Sequence, residues 1–437
     1  MNLAKALEKL SISQLNPMQL NAAESIQKGN DLVLLSPTGS GKTLAYLLPL
    51  IEKLDPDKKE IQALIVVPSR ELALQIDQVM RQLQSGLKVN CCYGGHSTRV
   101  EQNNLSQAPA LLIGTPGRIG HHIRKQNLDF SKCGYLVLDE FDKSLEMGFQ
   151  EDMSFLLKQL KNLKQRILTS ATNLTEIPDF TGIQKASQLN FLTADQTKPS
   201  RLKIKLVHSP SRDKTDSLFL LLCALGNTNS IIFCNQRESV QMAAEVLHEK
   251  GLEHEIFHGK MEQIDRERAL LKFRNGSTKI LVATDLAARG LDIPELDNII
   301  HFQLPVNEES FIHRNGRTAR MHASGEAYLI LSSNEHLPEY IHQKVETIEL
   351  AKKPQLPPLP EWQTLYIAAG KKDKINKMDI AGMLHQKGNL AKDEIGLISV
   401  LDFSAYVAIK RSKIKQLISL IREEKIKNKK VKFAIAD

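Results

Sequence analysis

Short, wholly apolar runs alternating with helix-length segments set the strongest limit on what this chain folds into. DLVLLS at 31–36, ALIVV at 63–67, LLIG at 111–114, YLVLD at 135–139, SIIFC at 230–234 and KILVA at 279–283 show little polar alternation. A strand with one wet face alternates; a strand covered on both faces does not, and such cover comes from helices packed on each side of a parallel sheet. Residues 30–350 therefore read as α/β. The pattern also repeats. ALIVVPSRELALQI (63–76) and SIIFCNQRESVQMAAEV (230–246) each read as strand, polar turn and helix. YGG at 93–95 is answered by FHG at 257–259, and LLIGTPGR at 111–118 by ILVATDLAAR at 280–289. Three pairs in one order indicate a duplicated α/β domain. The halves are expected to meet in the polar stretch 193–200.

The 437 residues exceed one compact core, and 42% hydrophobic with 25% charged residues excludes a largely disordered chain. AKKPQLPPLPE at 351–361 places four prolines within seven residues, a semi-rigid linker. Beyond it, 364–368 and 406–409 read as strands, 378–384 and 412–424 as helices, and 430–435 as a final strand. The order βαββαβ is that of a ferredoxin-like sheet, the architecture of the RNA-recognition fold. The net charge of +8 is confined to this tail: 362–437 holds sixteen Lys and Arg against eight Asp and Glu, leaving 42 of each sign before it. Such an excess suits an acidic partner such as nucleic acid, or simply a solvated lysine surface. Five cysteines form no CxxC pair, as expected of reduced thiols in a cytosolic protein. The first residues lack the apolar run of a signal peptide, and no stretch approaches the roughly 18 apolar residues of a membrane span.

SPTGSGKT at 36–43 follows an apolar run and opens the helix-like KTLAYLLPLIEKL. Gly39 and Gly41 let such a loop turn its N–H groups toward one anion, Lys42 can reach terminal phosphates, and the Thr43 hydroxyl can ligate Mg²⁺. A carboxylate at a neighbouring strand end completes the chemistry, and YLVLDEFD supplies it. Asp139 can hold the metal's water shell, and Glu140 can take a proton from an attacking water. HRNGRTAR at 313–320 offers three arginines. They suit a solvated face, nucleic-acid phosphates, or charge developing on a γ-phosphate, the last through Arg317 and Arg320.

Taken together, these motifs resemble the DEAD-box ATP-dependent RNA helicases, from about Gln19 to Ile330. NPMQ at 16–19 resembles the Q motif, in which Gln19 would read the adenine edge. SPTGSGKT resembles the variant phosphate loop, so Ser36, Thr38, Gly39, Ser40, Gly41, Lys42 and Thr43 are implied nucleotide contacts, with Thr43 and Asp139 toward the metal. PSRELA with Arg70, the pair Gly94 and Gly95, and TPGR with Thr115 and Arg118 resemble the RNA-contacting elements of the first domain. DEFD stands where DEAD is usual, and SAT at 170–172 where hydrolysis is coupled to strand separation. Gln263, Arg266, Thr284 and RGLD with Asp292 resemble the RNA and nucleotide elements of the second domain. The resemblance implies two tandem RecA-like parallel-sheet domains (1–197 and 201–350), a linker (351–361) and a small RRM-like α+β domain (362–437). It implies ATP and Mg²⁺ as cofactors, and Glu140, Lys42, Arg317 and Arg320 as catalytic residues.

Three departures stand out. Phe141 puts a large ring where the family has a methyl, so coupling between motifs is expected to alter. No aromatic residue stands where the family usually has one upstream of the Q motif, so adenine stacking is expected to be weaker or supplied elsewhere. Asn16 replaces a common Thr. The tail segments LYIAAGKK, DIAGML, IGLI and KIKNKKVKF resemble the C-terminal domain of the DbpA-type helicases, which implies a hairpin of large-subunit ribosomal RNA as target and a role in assembling that subunit. Within it Tyr366 and Tyr406 stand where bases stack or where the linker packs, and Lys371, Lys372 and Lys410 where phosphates bind. The expected protein is a cytoplasmic monomer that unwinds or remodels RNA. The alternative is an ATP-gated RNA clamp without unwinding.

Overall fold

The computed structural model describes residues 7–10, 12–95, 98–174, 176–192, 202–285, 296–316, 325–351, 353–427 and 429–436. Its first sheet holds β1 (Asp31–Leu35), β2 (Ala63–Val66), β3 (Val89–Cys92), β4 (Leu111–Gly114), β5 (Tyr135–Leu138), β6 (Gln165–Ser170) and β7 (Ala186–Asn190), all parallel. They lie in the order β3-β4-β2-β5-β6-β1-β7. The second sheet holds β8 (Leu202–His208), β9 (Ser230–Cys234), β10 (Glu255–Phe257), β11 (Ile280–Thr284), β12 (Asn298–His301), β13 (Gly325–Leu331) and β14 (Val345–Thr347), again parallel. Its order, β10-β11-β9-β12-β13-β8-β14, is the first order with every number raised by seven. The duplication read from three short matches thus extends through two whole sheets. Strands β2 and β9 are buried along their full length, the condition that removes polar alternation from a strand. The expected junction at 193–200 lies outside the described residues.

The tail forms a third sheet, β16-β17-β15-β20, from β15 (Trp362–Ile367), β16 (Ile395–Val400), β17 (Ala405–Lys410) and β20 (Phe433–Ile435). Helices Lys377–Gln386 and Arg411–Ile421 pack on one face, around a core that includes Leu365, Ile367, Ile380, Leu384, Val407, Ile409, Ile414 and Leu417. The stretch read as one strand over 430–435 is divided. β18 (Lys425–Ile426) and β19 (Lys429–Lys430) form a separate hairpin, turned through Lys427 at φ 48, and β20 starts only at Phe433. Among the described residues of 425–430 Ile426 is the buried one, too little to hold that segment in the main sheet, and burial resumes at Val431.

The second face of the tail sheet is covered over part of its area, with Tyr366 half-buried. Register puts Thr364 opposite Ala408 and Tyr366 opposite Tyr406, on the face away from the tail helices. Thr364 is nevertheless only 1% exposed, Ala408 0% and Tyr406 3%. The cover comes from the second RecA-like domain, in the same compact unit. Thr364 Oγ1 accepts from Asn275 Nδ2 at 2.9 Å and donates to Ser277 Oγ at 2.8 Å. The Trp362 ring lies against Gly276, at φ 76. Arg411 makes a bidentate pair with Glu253 at 2.9 and 2.7 Å and donates to Pro360 O at 2.7 Å, which pins the end of the linker as well. Among the described residues no helix is long and apolar enough to cross a membrane, and all five cysteines are free.

Candidate functional site

Between β1 and the helix Lys42–Lys53 the chain turns through Gly39 and Gly41, at φ 78 and 89. Only glycine takes that left-handed backbone without strain. Gly41 has a second constraint, since a Cβ there would lie 2.4 Å from Gln19 Nε2. Asn16 caps the helix Pro17–Gln27 in a reciprocal pair with Gln19, each side chain accepting from the other's backbone N–H at 2.9 Å. The remaining amide hydrogens brace the phosphate loop. Gln19 Nε2 donates to Gly41 O at 3.2 Å, and Asn16 Nδ2 to Ser40 O at 3.0 Å. Ser36 Oγ donates to Ser40 Oγ at 2.8 Å, and half-buried Thr38 and Thr43 stand in the loop and the first helical turn.

Lys42 turns back on the loop, donating to the carbonyls of Ser36 and Pro37. Burial lowers its pKa to about 8, against the pull of Glu140 and Asp139. A phosphate in the loop offers that ammonium a stronger partner than two carbonyls. At the end of β5, Asp139 Oδ1 accepts from Thr169 Oγ1 at 2.5 Å and from Glu140 N at 3.0 Å, while Oδ2 accepts from Tyr46 OH at 2.7 Å. Burial and then the adjacent Glu140 raise the Asp139 pKa, and the bonds from Thr169 and Tyr46 oppose them. Glu140 holds φ 49, in the left-handed region, and lies 3.2 Å from Lys143 Nζ. Asp142 Oδ2 accepts from Ala171 N at 3.2 Å and Thr172 Oγ1 at 3.0 Å, which ties DEFD to SAT. Phe141 is fully buried, and its ring meets Phe180 at 6.1 Å. On either side of the ring, Asp142 holds Ala171 and Thr172, Asp139 holds Thr169, and the Glu140 N–H donates to Thr169 Oγ1 at 3.2 Å.

The three motifs expected to touch RNA in the first domain converge. The Arg70 guanidinium stacks on the Tyr93 ring, 4.6 Å from its centroid. Tyr93 N donates to Glu101, Arg118 Nε donates to the same carboxylate at 2.6 Å, and His122 Nε2 lies 2.6 Å from it. Gly94 and Gly95 are exposed beside Tyr93, and Thr115 N donates to Cys92 O at 3.0 Å. Burial raises the Glu101 pKa, but the His122, Arg118 and Tyr93 bonds outweigh it and the net shift is downward. Tyr46 and Glu101 escaped the sequence reading. Tyr46 could have been found as a hydroxyl one helical turn after Lys42; nothing local marks Glu101.

In the second domain Gln263 opens the helix Gln263–Arg274, the Arg266 guanidinium lies 5.0 Å from the Phe257 ring centroid, and Thr284 ends β11. Arg314, the first arginine of HRNGRTAR, is the residue sequence reasoning undervalued. It is buried, bidentate on Asp285, and donates to Gln303 O at 2.6 Å and Asn235 Oδ1 at 2.7 Å. His301 stacks between Phe233 and Phe311 beside it, and burial followed by Arg314's charge lowers its pKa to about 3. Asp292, Arg317 and Arg320 lie outside the described residues. In the tail, Tyr366 and Tyr406 meet edge to face at 5.5 Å on the covered side of the sheet. Lys410 pairs with Glu361 at 2.6 Å, while Lys371 and Lys372 lie exposed in a 3₁₀ turn.

Residues 16–180 match the DEAD/DEAH box helicase family, 213–322 the helicase conserved C-terminal domain, and 364–435 the DbpA RNA binding domain. The ATP-dependent RNA helicase DbpA of Escherichia coli (strain K12) is 32% identical, over 97% of this chain and 94% of the relative. This chain is a DEAD-box ATP-dependent RNA helicase. The helicase is also 30% identical to DbpA of Bacillus subtilis (strain 168), over 99% of this chain and 96% of the relative. Among solved structures it is similar to Mss116p bound to single-stranded RNA and AMP-PNP, at 27% identity and a TM-score of 0.69, over 80% of this chain and 77% of that one. Saccharomyces cerevisiae Dbp5 shares the fold at 24% identity, with a TM-score of 0.64 over 79% and 96%. The family membership makes it an RNA-stimulated ATP hydrolase with an RNA-binding tail.

Proposed function

We propose that this helicase remodels structured RNA of the large ribosomal subunit during its assembly, with the tail holding the target while the two RecA-like domains work on a neighbouring duplex. The observation that carries the catalytic part is the bonding of Asp139 and Asp142 to Thr169, Ala171 and Thr172, with Glu140 fixed between them. Glu140 orients the attacking water and takes its proton, and Lys42 neutralises the terminal phosphates. Thr43 and Asp139 form a hard-oxygen set that suits Mg²⁺, and an added cation would favour the charged carboxylate that burial and Glu140 disfavour. When bound, that ion would draw charge from the phosphate oxygens. Gln19 orients the adenine from the first turn of its helix, beside the loop it braces. Arg317 and Arg320 as arginine fingers, and Asp292 as a nucleotide contact, rest on their match to the family motifs. Arg70, Gly94, Gly95, Thr115, Arg118, Gln263, Arg266 and Thr284 meet RNA phosphates and 2′-hydroxyls, contacts that carry no base preference.

The ribosomal target is supported by the DbpA RNA binding domain and by the charge confined to it. Asp142 keeps both partners despite Phe141, so the clamp reading has no observation in its favour. The test is strand displacement by the full chain on one duplex, attached either to a large-subunit ribosomal hairpin or to an unrelated hairpin. Faster ATP-dependent displacement beside the ribosomal hairpin is expected; equal rates would remove the target and leave the helicase. Glu140→Gln is expected to lower ATP turnover by roughly 10²–10⁴-fold while nucleotide binding persists, and unchanged turnover would reject its role.

A further inference from the structure

We propose that Phe403, with Lys371 and Lys372, forms a platform on which the tail stacks an unpaired RNA base, away from the face that RNA-recognition folds ordinarily use. The inference rests on the reading that the tail binds RNA and adds where a base is held. The ordinary face is largely taken up: Thr364 is bonded to the second RecA-like domain, and Tyr406 and Ala408 are buried. The tail's exposed aromatic surface lies elsewhere. β16 and β17 are joined by a two-residue turn, closed by Leu401 N donating to Ser404 O at 2.8 Å, with Asp402 and Phe403 at its tip. Phe403 is 70% exposed. A hairpin tip is ordinarily polar, and a phenyl ring there adds nothing to the core.

The turn that carries the ring is fixed to a cationic segment. Lys371 N donates to Leu401 O and Lys372 N to Asp402 O, both at 2.8 Å, so the turn is bonded to the 371–373 segment through its backbone. The approach is close enough that a Cβ on Gly370 would lie 2.2 Å from Leu401 O. Neither Lys371 nor Lys372 has a carboxylate partner among the described residues. The nearby acids are already engaged: Asp373 pairs with Lys429, and Asp379 with Lys427 at 2.8 Å. Asp402 is the one acid in the turn itself. Lys427 also donates to Lys374 O at 2.9 Å, which places the β18–β19 hairpin beside the same segment. A lysine-rich segment, 371–374, therefore links that hairpin to the turn that carries Phe403. An unpaired base beside a phosphate-lined stem has the matching chemistry: a π-face for Phe403 and anions for the lysines.

The full chain without nucleotide is titrated with a fluorescent RNA hairpin bearing unpaired bases, and with a blunt duplex of the same stem. Phe403→Ala should weaken hairpin binding by about five- to hundred-fold and leave the duplex unchanged. Phe403→Trp should retain the hairpin affinity. An unaltered melting temperature checks that the exposed substitution leaves the fold intact. If Phe403→Ala binds the hairpin as the wild type does while Lys371→Glu with Lys372→Glu weakens both RNAs, stacking is wrong and RNA binding by the tail stands. If neither change affects either RNA, the reading of this tail surface as an RNA site falls with it.

Discussion

Glu140 holds a left-handed backbone that costs a residue with a Cβ of order 1–2 kcal/mol, and the DEFD segment supports that conformation through its neighbours. Phe141 is one of those supports. Its ring lies against Phe180, in the buried cluster that also holds Leu136 and Leu138 of β5. Restoring the family's usual residue should therefore harm this protein. Phe141→Ala is expected to lower stability by about 3–5 kcal/mol in a denaturant titration, as a cavity does. His301 has an acid-side signature of a different kind. Its pKa is lowered from 6.5 to about 3, so an unfolded chain takes up a proton there that the folded chain refuses. The stabilisation is complete above pH 6.5 and is lost as pH falls from 6.5 toward 3. Replacing His301 with Phe should flatten the unfolding free energy across that window, read by titration at stepped pH.

At the level of elements, the docked tail sheet is the arrangement that most needs testing. Thr364→Arg would force a charge into a surface that is 1% exposed, and the sheet should lift away. Trp362, the chain's single tryptophan, reports the change, because its ring would leave Gly276 for water. A red-shifted emission is expected, and an unshifted spectrum would mean the docking tolerates the charge. Here the legibility of the sequence also divides. The strands quoted from the parallel sheets could be read to within a residue because burial on two faces writes itself locally, as in the unbroken ALIV and SIIFC. The phosphate loop and DEFD were legible because their chemistry needs fixed residues at short spacing. The docking was not. Thr364 meets Asn275 and Ser277 across nearly ninety residues through side-chain hydrogen bonds that leave no periodicity, so Tyr406 carried the marks of an RNA-stacking residue while being a buried one. Glu101 was hidden for the same reason, since its partners Tyr93, Arg118 and His122 come from separate segments.

For the molecule as a whole, charge separates a near-neutral pair of RecA-like domains from a cationic tail. Binding of a structured RNA in the absence of nucleotide should therefore fall steeply with salt. Replacing Lys371, Lys372, Lys374 and Lys377 with Gln should reduce the slope of log affinity against log salt by roughly 0.7–0.9 for each phosphate no longer neutralised, measured by anisotropy across a salt series. Basal ATP turnover without RNA should stay as it was. The bonds of Thr364 and Arg411 add a mechanical consequence. With its sheet seated on the second RecA-like domain, the tail is no balloon on a string but a bracket bolted to a moving part. Whatever displacement ATP imposes on that domain reaches the gripped RNA without slack, so the length of the proline-rich connector does not govern the stroke.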